Sequence, residues 1–451
     1  MDRQLRRRGP AIRQPGAVIL LLVLAVALGG CEGDSVWVPD WQPTAAMQVP
    51  RAGAAAAAHD GFLYMIGGVD GKVFLRSTEY APVRADGSLG PWRSTEPLPA
   101  PRGFAAAVVH DGYVYVIGGA NGRHGEQLFA SMLRAPIGED GALGPWQAEP
   151  EGMKLPRRCA KVAKAGDRLY ALGGFAGTLL DSVERTVLGA DGHAGPWRMQ
   201  STTLTMPRYV DGVKRVGDRI VVLGGHHPRR GSGLRAVESA RLGDGDLHWT
   251  RGADLQQGRY ALATAAHEGR LYALGGISGS EYLDSVETTE IGDGPMEWRR
   301  TTRLREPLAS FSALTSGGRI YILGGTAGGQ YRRSVWWAGF NDAGDIGFRG
   351  TAEQAEAAAE RRHRRQQPAA QLPNRGVVVS TIDSGGYTYI QVRQDQQLQW
   401  LAAPTVKLKV GDTIRFSRGV AMPGFYSQSL DREFKRILFV GTVEMVKEPI
   451  R

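Results

Sequence analysis

Cysteine is nearly missing: the 451-residue chain holds two, Cys31 and Cys159. So few exclude a disulfide-stapled scaffold and the paired-cysteine zinc motifs. No apolar run reaches the roughly 20 residues of a membrane-spanning helix, and the run from Ala17 to Ala27 falls well short. The formal net charge is +10, yet no basic helix and no basic groove interleaved with aromatics accompanies it. Nucleic acid is therefore not an expected partner. No serine triad, Walker loop or dinucleotide fingerprint is present. His226-His227 is an adjacent pair before Pro228, but two ligands without a third do not make a metal site. No cofactor and no metal are expected.

Glycine, by contrast, is plentiful, with 62 copies, and it is periodic. A Gly-Gly pair stands at Gly67-Gly68, Gly118-Gly119, Gly173-Gly174, Gly224-Gly225, Gly275-Gly276 and Gly324-Gly325, at intervals of 51, 55, 51, 51 and 49 residues. An arginine sits 16 residues ahead of the pair in five units (Arg51, Arg102, Arg157, Arg208, Arg259) and Leu308 in the sixth. Tyr64, Tyr115, Tyr170, Val221, Tyr272 and Tyr321 stand three ahead. Trp41, Trp92, Trp146, Trp197, Trp249 and Trp298 stand 26 or 27 ahead.

Each unit reads as four short strands. A run of small residues (strand a) is joined by a tight turn such as Asp60-Gly61 to an apolar strand b ending in Gly-Gly. A polar-alternating strand c and a tryptophan-led strand d follow. These features resemble kelch repeats over residues 41–350, and a period near fifty fits the blades of a propeller. The first tryptophan, Trp41, has no strand a, b or c before it, and the last unit has only Phe348 where a tryptophan belongs. Trp41 to Gln48 is therefore expected to supply the outer strand of blade six and remove an open edge.

The kelch resemblance implies that one end of the ring, formed by the d-to-a and b-to-c loops, carries the ligand. Residues after the repeated arginine vary there, and the rim collects Arg158, Tyr209, His226, His227, Arg229 and Tyr260 as candidate ligand-binding residues. Guanidinium groups pair carboxylates in a bidentate manner and aromatic faces stack on sugar rings. The repeated arginines are expected to be structural instead. Two enzyme alternatives come from kelch-type proteins: a periplasmic sialic-acid mutarotase and a copper-radical oxidase. Cys159, Tyr209, Tyr260 and His226 fall on the rim the oxidase would use, but the adjacent tyrosine-histidine pair of that family is absent.

The first thirty residues carry five arginines and one aspartate ahead of and around the short apolar run, the pattern of a signal peptide. Removing them lowers the net charge by four, to +6. Leu28-Gly29-Gly30-Cys31 resembles a bacterial lipobox, which implies an acylated Cys31 and a stable membrane anchor. Glu353 to Gln367 is rich in alanine, glutamate and arginine, ends in Arg361-Arg362-His363-Arg364-Arg365 and is followed by Pro368. It reads as a short exposed helix within a polar linker.

Beyond Gly376, five apolar runs separated by turns suit a small Greek-key barrel. Gly386-Tyr387-Thr388-Tyr389, Lys409-Val410-Gly411-Asp412 and Ser429-Leu430-Asp431-Arg432-Glu433-Phe434 resemble a small periplasmic OB-like family. Its members can be encoded beside cytochrome c nitrite reductase genes or appended to other exported modules.

The expected organisation is thus all-β: signal peptide 1–30, lipidated tether 31–40, six-bladed kelch β-propeller 41–350, polar linker 351–375 and OB-like β-barrel 376–451. The expected function is a non-catalytic binding or scaffold module for an envelope protein or carbohydrate. It would be monomeric, held to a membrane through Cys31 and facing the periplasm or the cell exterior.

Overall fold

The computed structural model describes residues 35–227, 233–366, 372–384, 387–427 and 429–446. The leader, Cys31 and Arg229 lie outside them. Among the described residues, no helix is long and apolar enough to cross a membrane.

Six antiparallel sheets are arranged as a propeller. Blade one runs Ala55–His59, Phe62–Ile66, Thr78–Pro82 and Arg93–Thr95 from axis to rim. Its a–b turn puts Asp60 at φ 41° and Gly61 at φ 77°, the left-handed pair of a two-residue hairpin turn. Blades two to five repeat the four-strand order from Ala106–His110, Lys161–Ala165, Gly212–Val216 and Ala263–His267. Each inner strand packs beside the next, and Ser312–Ser316 of blade six packs beside Ala55–His59 of blade one. Strands this close to the axis have little space for side chains, which explains the alanines of blade one.

Blade six has Ser312–Ser316, Arg319–Leu323 and Val335–Phe340, and its outer strand is the N-terminal segment Gln42–Thr44 paired with Val335–Trp337. The expected closure is therefore present. It also extends further than expected. The far end of Val335–Phe340 pairs with Ile346–Gly350, and that strand takes Val36–Val38 as its other neighbour. Part of the expected tether is thus woven into the ring.

The Gly-Gly pair joins neighbouring blades. A Cβ on Gly67 would lie 2.1 Å from the carbonyl oxygen of Arg102 in the next blade. The Gly68 N–H donates to that same oxygen at 2.9 Å. The bond recurs from Gly119, Gly174, Gly225 and Gly276, and Gly325 closes the circle onto the Arg51 carbonyl at 2.8 Å. Any side chain at the first glycine would push two blades apart.

The repeated arginines work inside each blade. Arg51, Arg157, Arg208 and Arg259 are fully buried. Each bonds the carbonyl of its blade's first glycine and pairs with a carboxylate of strand c: Glu79, Glu184, Glu238 or Glu287. Those carboxylates also accept N–H groups from the preceding d–a loop, as Glu287 does from Gln256 and Gln257. The two exceptions are informative. Blade six has lost both partners, carrying Leu308 and Trp336 at the two positions. Blade two keeps Arg102 but has Leu133 in place of the carboxylate, and the guanidinium instead lies 4.1 Å from the Phe129 ring centroid. Burial without a carboxylate pushes the Arg102 pKa down to about 10.

The tyrosines and tryptophans bind adjacent blades. Tyr64, Tyr115, Tyr272 and Tyr321 donate to the carbonyls of Gly141, Gly192, Gly344 and Gly87, each in the turn after strand c of the following blade. Trp92, Trp146, Trp298 and Trp41 donate their indole N–H to Ala45, Glu96, Ala253 and Arg303 of the preceding blade.

Residues Ala352–Gln366 form the expected helix. It is docked, not free: Ala358 is buried and Ala355 packs with it against Val36, Val38 and Phe348. Arg361 also pairs with Asp40 at 2.6 Å. Two alanines facing a sheet are too small a stripe to register as an apolar face in the sequence. The C-terminal region is one seven-stranded sheet, consistent with a small barrel, around Val378, Ile390, Val392, Leu401 and Ile414. Its strand Gly419–Ser427 contains Pro423 and occupies an edge of the sheet, where a residue lacking an N–H is tolerated.

Candidate functional site

The d–a loop of every blade ends in the same construction. Gly53, Phe104, Cys159, Val210, Ala261 and Ser310 take left-handed φ values between 49° and 57°. The residue before each forms an isolated bridge to the b–c loop: Ala52 with Val69, Gly103 with Ala120, Arg158 with Phe175, Tyr209 with His226, Tyr260 with Ile277 and Ala309 with Thr326. The left-handed residue's own N–H points at its counterpart's carbonyl in the preceding blade, giving an inner hoop of backbone hydrogen bonds. Gly53 donates to Ser310, Phe104 to Gly53, Cys159 to Phe104, Ala261 to Val210 and Ser310 to Ala261, at 2.7–2.9 Å. The sixth link, from Val210 to the Cys159 carbonyl, is not made.

The mouth above this hoop is lopsided. Blades one, two and six present Ala52, Gly103 and Ala309, while blades three to five present Arg158, Tyr209 and Tyr260. These large residues form one continuous arc. The Arg158 guanidinium lies 4.9 Å from the Phe175 ring centroid, Phe175 lies 6.0 Å from Tyr209, Tyr209 5.4 Å from His226 and His226 5.1 Å from Tyr260. The last two contacts are edge-to-face, the favoured geometry for rings with opposed edge and face charge. Arg158 is fixed by the carbonyls of His124 and Gly125. Burial, helped by His227, lowers the His226 pKa, so its ring is neutral at pH 7, and its Nδ1 has no hydrogen-bond partner among the described residues. Burial raises the phenols of Tyr209 and Tyr260.

Below the arc the axial channel encloses about 190 Å³. Most of its wall is alanine, glycine, valine and serine, and the charge again comes from blades three and four: Lys161, Asp211 and Lys214, beside Cys159. Asp211 is fully buried, and among the described residues neither carboxylate oxygen has a hydrogen-bond partner on another residue. Burial pushes its carboxyl up to about 6, against the opposing pull of Arg208 and Lys161. Burial also lowers the ammonium of Lys214 and pushes the Cys159 thiol up to about 11. Cys159 is thus a protonated packing residue and not a reactive thiolate. Among the described residues, no three His, Cys, Asp or Glu side chains gather as metal ligands.

Of the residues expected to bind, Arg158, Tyr209, His226 and Tyr260 come together, His227 adjoins them, and Arg229 lies outside the described residues. Phe175, Lys161, Asp211 and Lys214 were missed. Their signal was a break in the repeat: at the phase where other blades carry Ala54, Ala105, Ala160, Leu262 and Phe311, blade four carries Asp211. The C-terminal sheet also reaches this face. The Ser280 hydroxyl of blade five's b–c loop donates to the Val440 carbonyl at 2.8 Å.

Comparison with known proteins begins with a model of the kelch motif, which matches residues 307–337, most of blade six. The fold is a six-bladed kelch propeller. Horseshoe-crab β-scruin (Limulus polyphemus) is 25% identical over 191 residues, covering 41% of this chain and 20% of that protein. Human kelch-like protein 33 is 37% identical over 101 residues, covering 22% of this chain and 18% of that one. A cowpox virus kelch repeat and BTB domain-containing protein is 26% identical over 151 residues, covering 33% of this chain and 25% of its own. The chain therefore spans a quarter or less of the length of these relatives. Among solved structures, one titled "Structure of YjhT" covers 67% of this chain and 98% of its own, with a TM-score of 0.56 and 16% identity. That likeness is one of fold.

Proposed function

We propose that this kelch propeller is a binding or scaffold module of the cell envelope that holds a protein or carbohydrate partner at the channel mouth. The carrying observation is the arc of Arg158, Phe175, Tyr209, His226 and Tyr260 on three adjacent blades. Half-buried rings beside a guanidinium suit a sugar ring or an aromatic side chain carrying or flanked by a carboxylate. The envelope location rests on the positive leader and the lipobox-like Leu28-Gly29-Gly30-Cys31. The kelch repeats of the relatives support the scaffold role. The test is capture of envelope proteins and a glycan panel by the parent chain and by a Tyr209→Ala/Tyr260→Ala variant. A partner retained by the parent and weakened at least tenfold in the variant supports the proposal. A partner held equally by both places binding elsewhere.

One observation favours a second reading, a sugar-modifying enzyme. Asp211 is a buried carboxyl, poised near neutrality beside Lys161 in a channel, the environment of a general acid–base. Asp211→Asn separates the two: it would abolish turnover under this reading and leave partner capture intact under the first.

A further inference from the structure

A second cavity, of about 360 Å³, lies away from the channel, where the N-terminal segment and the docked helix meet the outer strand of blade five. Its volume falls within the roughly 300–1,000 Å³ of small-molecule sites. Five arginines, Arg300, Arg303, Arg305, Arg361 and Arg362, line the wall against two acidic residues, Asp40 and Asp345.

Both carboxylates are already engaged. Asp40 is clamped by Arg305 at 2.7 Å and by Arg361 at 2.6 Å, and it also accepts the Trp41 N–H. Asp345 accepts from Arg299 at 2.5 Å and from Thr301 at 2.9 Å. Arg303 pairs outside the cavity with Asp284. Arg300 and Arg362 have no carboxylate partner among the described residues and are exposed. The indole N–H of Trp37 is buried and unpartnered, and Asn341 spends its oxygen on the Asp345 N–H, leaving its amide donors. What remains uncompensated is the positive charge of Arg300 and Arg362, with the amide donors of Asn341 beside it.

We infer that this cavity binds a phosphate-bearing anion. Planar guanidinium groups meet phosphate oxygens with paired N–H bonds, and the Arg305–Asp40–Arg361 clamp holds two walls in place before the ligand arrives. The ligand is either free phosphate or the headgroup of an anionic lipid. Trp37 follows Cys31 by six residues, a reach of about 20 Å when extended. An acylated Cys31 would therefore keep the cavity near headgroup phosphates. The site itself does not depend on that acylation or on the channel mouth.

The experiment uses the full chain with Cys31→Ser, so that no acyl chain can hold it to vesicles. Inorganic phosphate is titrated by calorimetry at constant ionic strength, and phosphatidylglycerol vesicles are tested by flotation against neutral phosphatidylcholine vesicles. Saturable binding of either probe, weakened tenfold or more by Arg300→Gln/Arg362→Gln with an unchanged melting temperature, is expected. Vesicle binding alone identifies the headgroup as the source; phosphate binding identifies the free anion as sufficient. Saturation of neither probe, or equal binding by the variant, overturns the inference.

Discussion

At the residue scale, a buried charge must find a partner or change its ionisation. Four blades answer with an Arg–Glu pair, blade six deletes both members, and blade two keeps its arginine against the Phe129 ring with no carboxylate at the paired position. Removing one partner of such a pair costs about 3–5 kcal/mol, because the other is left buried and charged. Glu287→Leu should therefore destabilise the propeller severely. Arg259→Leu/Glu287→Leu should cost less than the two single changes added, with a coupling of about 1–3 kcal/mol in denaturant unfolding. Strict additivity would show that the pair does not act as a unit.

Asp211 makes the opposite case, since among the described residues no other residue bonds its carboxylate. Its folded pKa near 6 exceeds the unfolded value of about 3.9. The folded chain keeps a proton that the unfolded chain releases across that window. The associated stability is complete below about pH 4 and is lost as pH rises through about 6, a change of about 3 kcal/mol at 1.36 kcal/mol per unit. Asp211→Asn should exceed the parent in urea resistance at pH 7.5 and match it near pH 4. A gap of equal size at both pH values would mean the carboxyl is not held protonated by its surroundings. Neither Asp211 nor the glutamates were legible as such from sequence. The glutamates sit in strands that look merely polar, and a single acid in a row of alanines carries no meaning until the repeat is aligned on strand a.

At the element scale, the sheet was readable because its punctuation is chemical. Gly-Gly, the left-handed turns and the tryptophans mark every blade, and counting tryptophans located the closing strand. Deleting residues 41–50 removes Trp41, the strand Gln42–Thr44 and the buried Met47 together. It should leave blade six open-edged and the chain aggregating or unfolding tens of degrees earlier in a thermal melt. An equally stable monomer would contradict the closure. Less legible were the pieces whose role is set by contact alone. The helix docks through Ala355 and Ala358, and the edge strand Gly419–Ser427 contains a proline, a residue that sequence patterns seldom place in a strand.

At the scale of the whole molecule, the ring is nearly six-fold but its chemistry is not. The arc at the mouth, the channel charges and the missing hoop bond all fall on blades three to five. The phosphate site proposed above lies instead beside the N-terminal segment. If Cys31 is the acylated residue, Cys31→Ser should move the protein from the membrane fraction to the soluble periplasmic or secreted fraction on cell fractionation. Retention in the membrane fraction would remove the lipid anchor from the proposal.

The pairing of Gln42–Thr44 with Val335–Trp337 has a consequence for biogenesis. The stretch made first is seated last, and it must wait while nearly 300 residues emerge behind it. Until then blades one and six each have a bare flank. In nascent chains, residues 35–50 should stay open to protease until residues up to 350 have emerged, and protection before that point would contradict the closure.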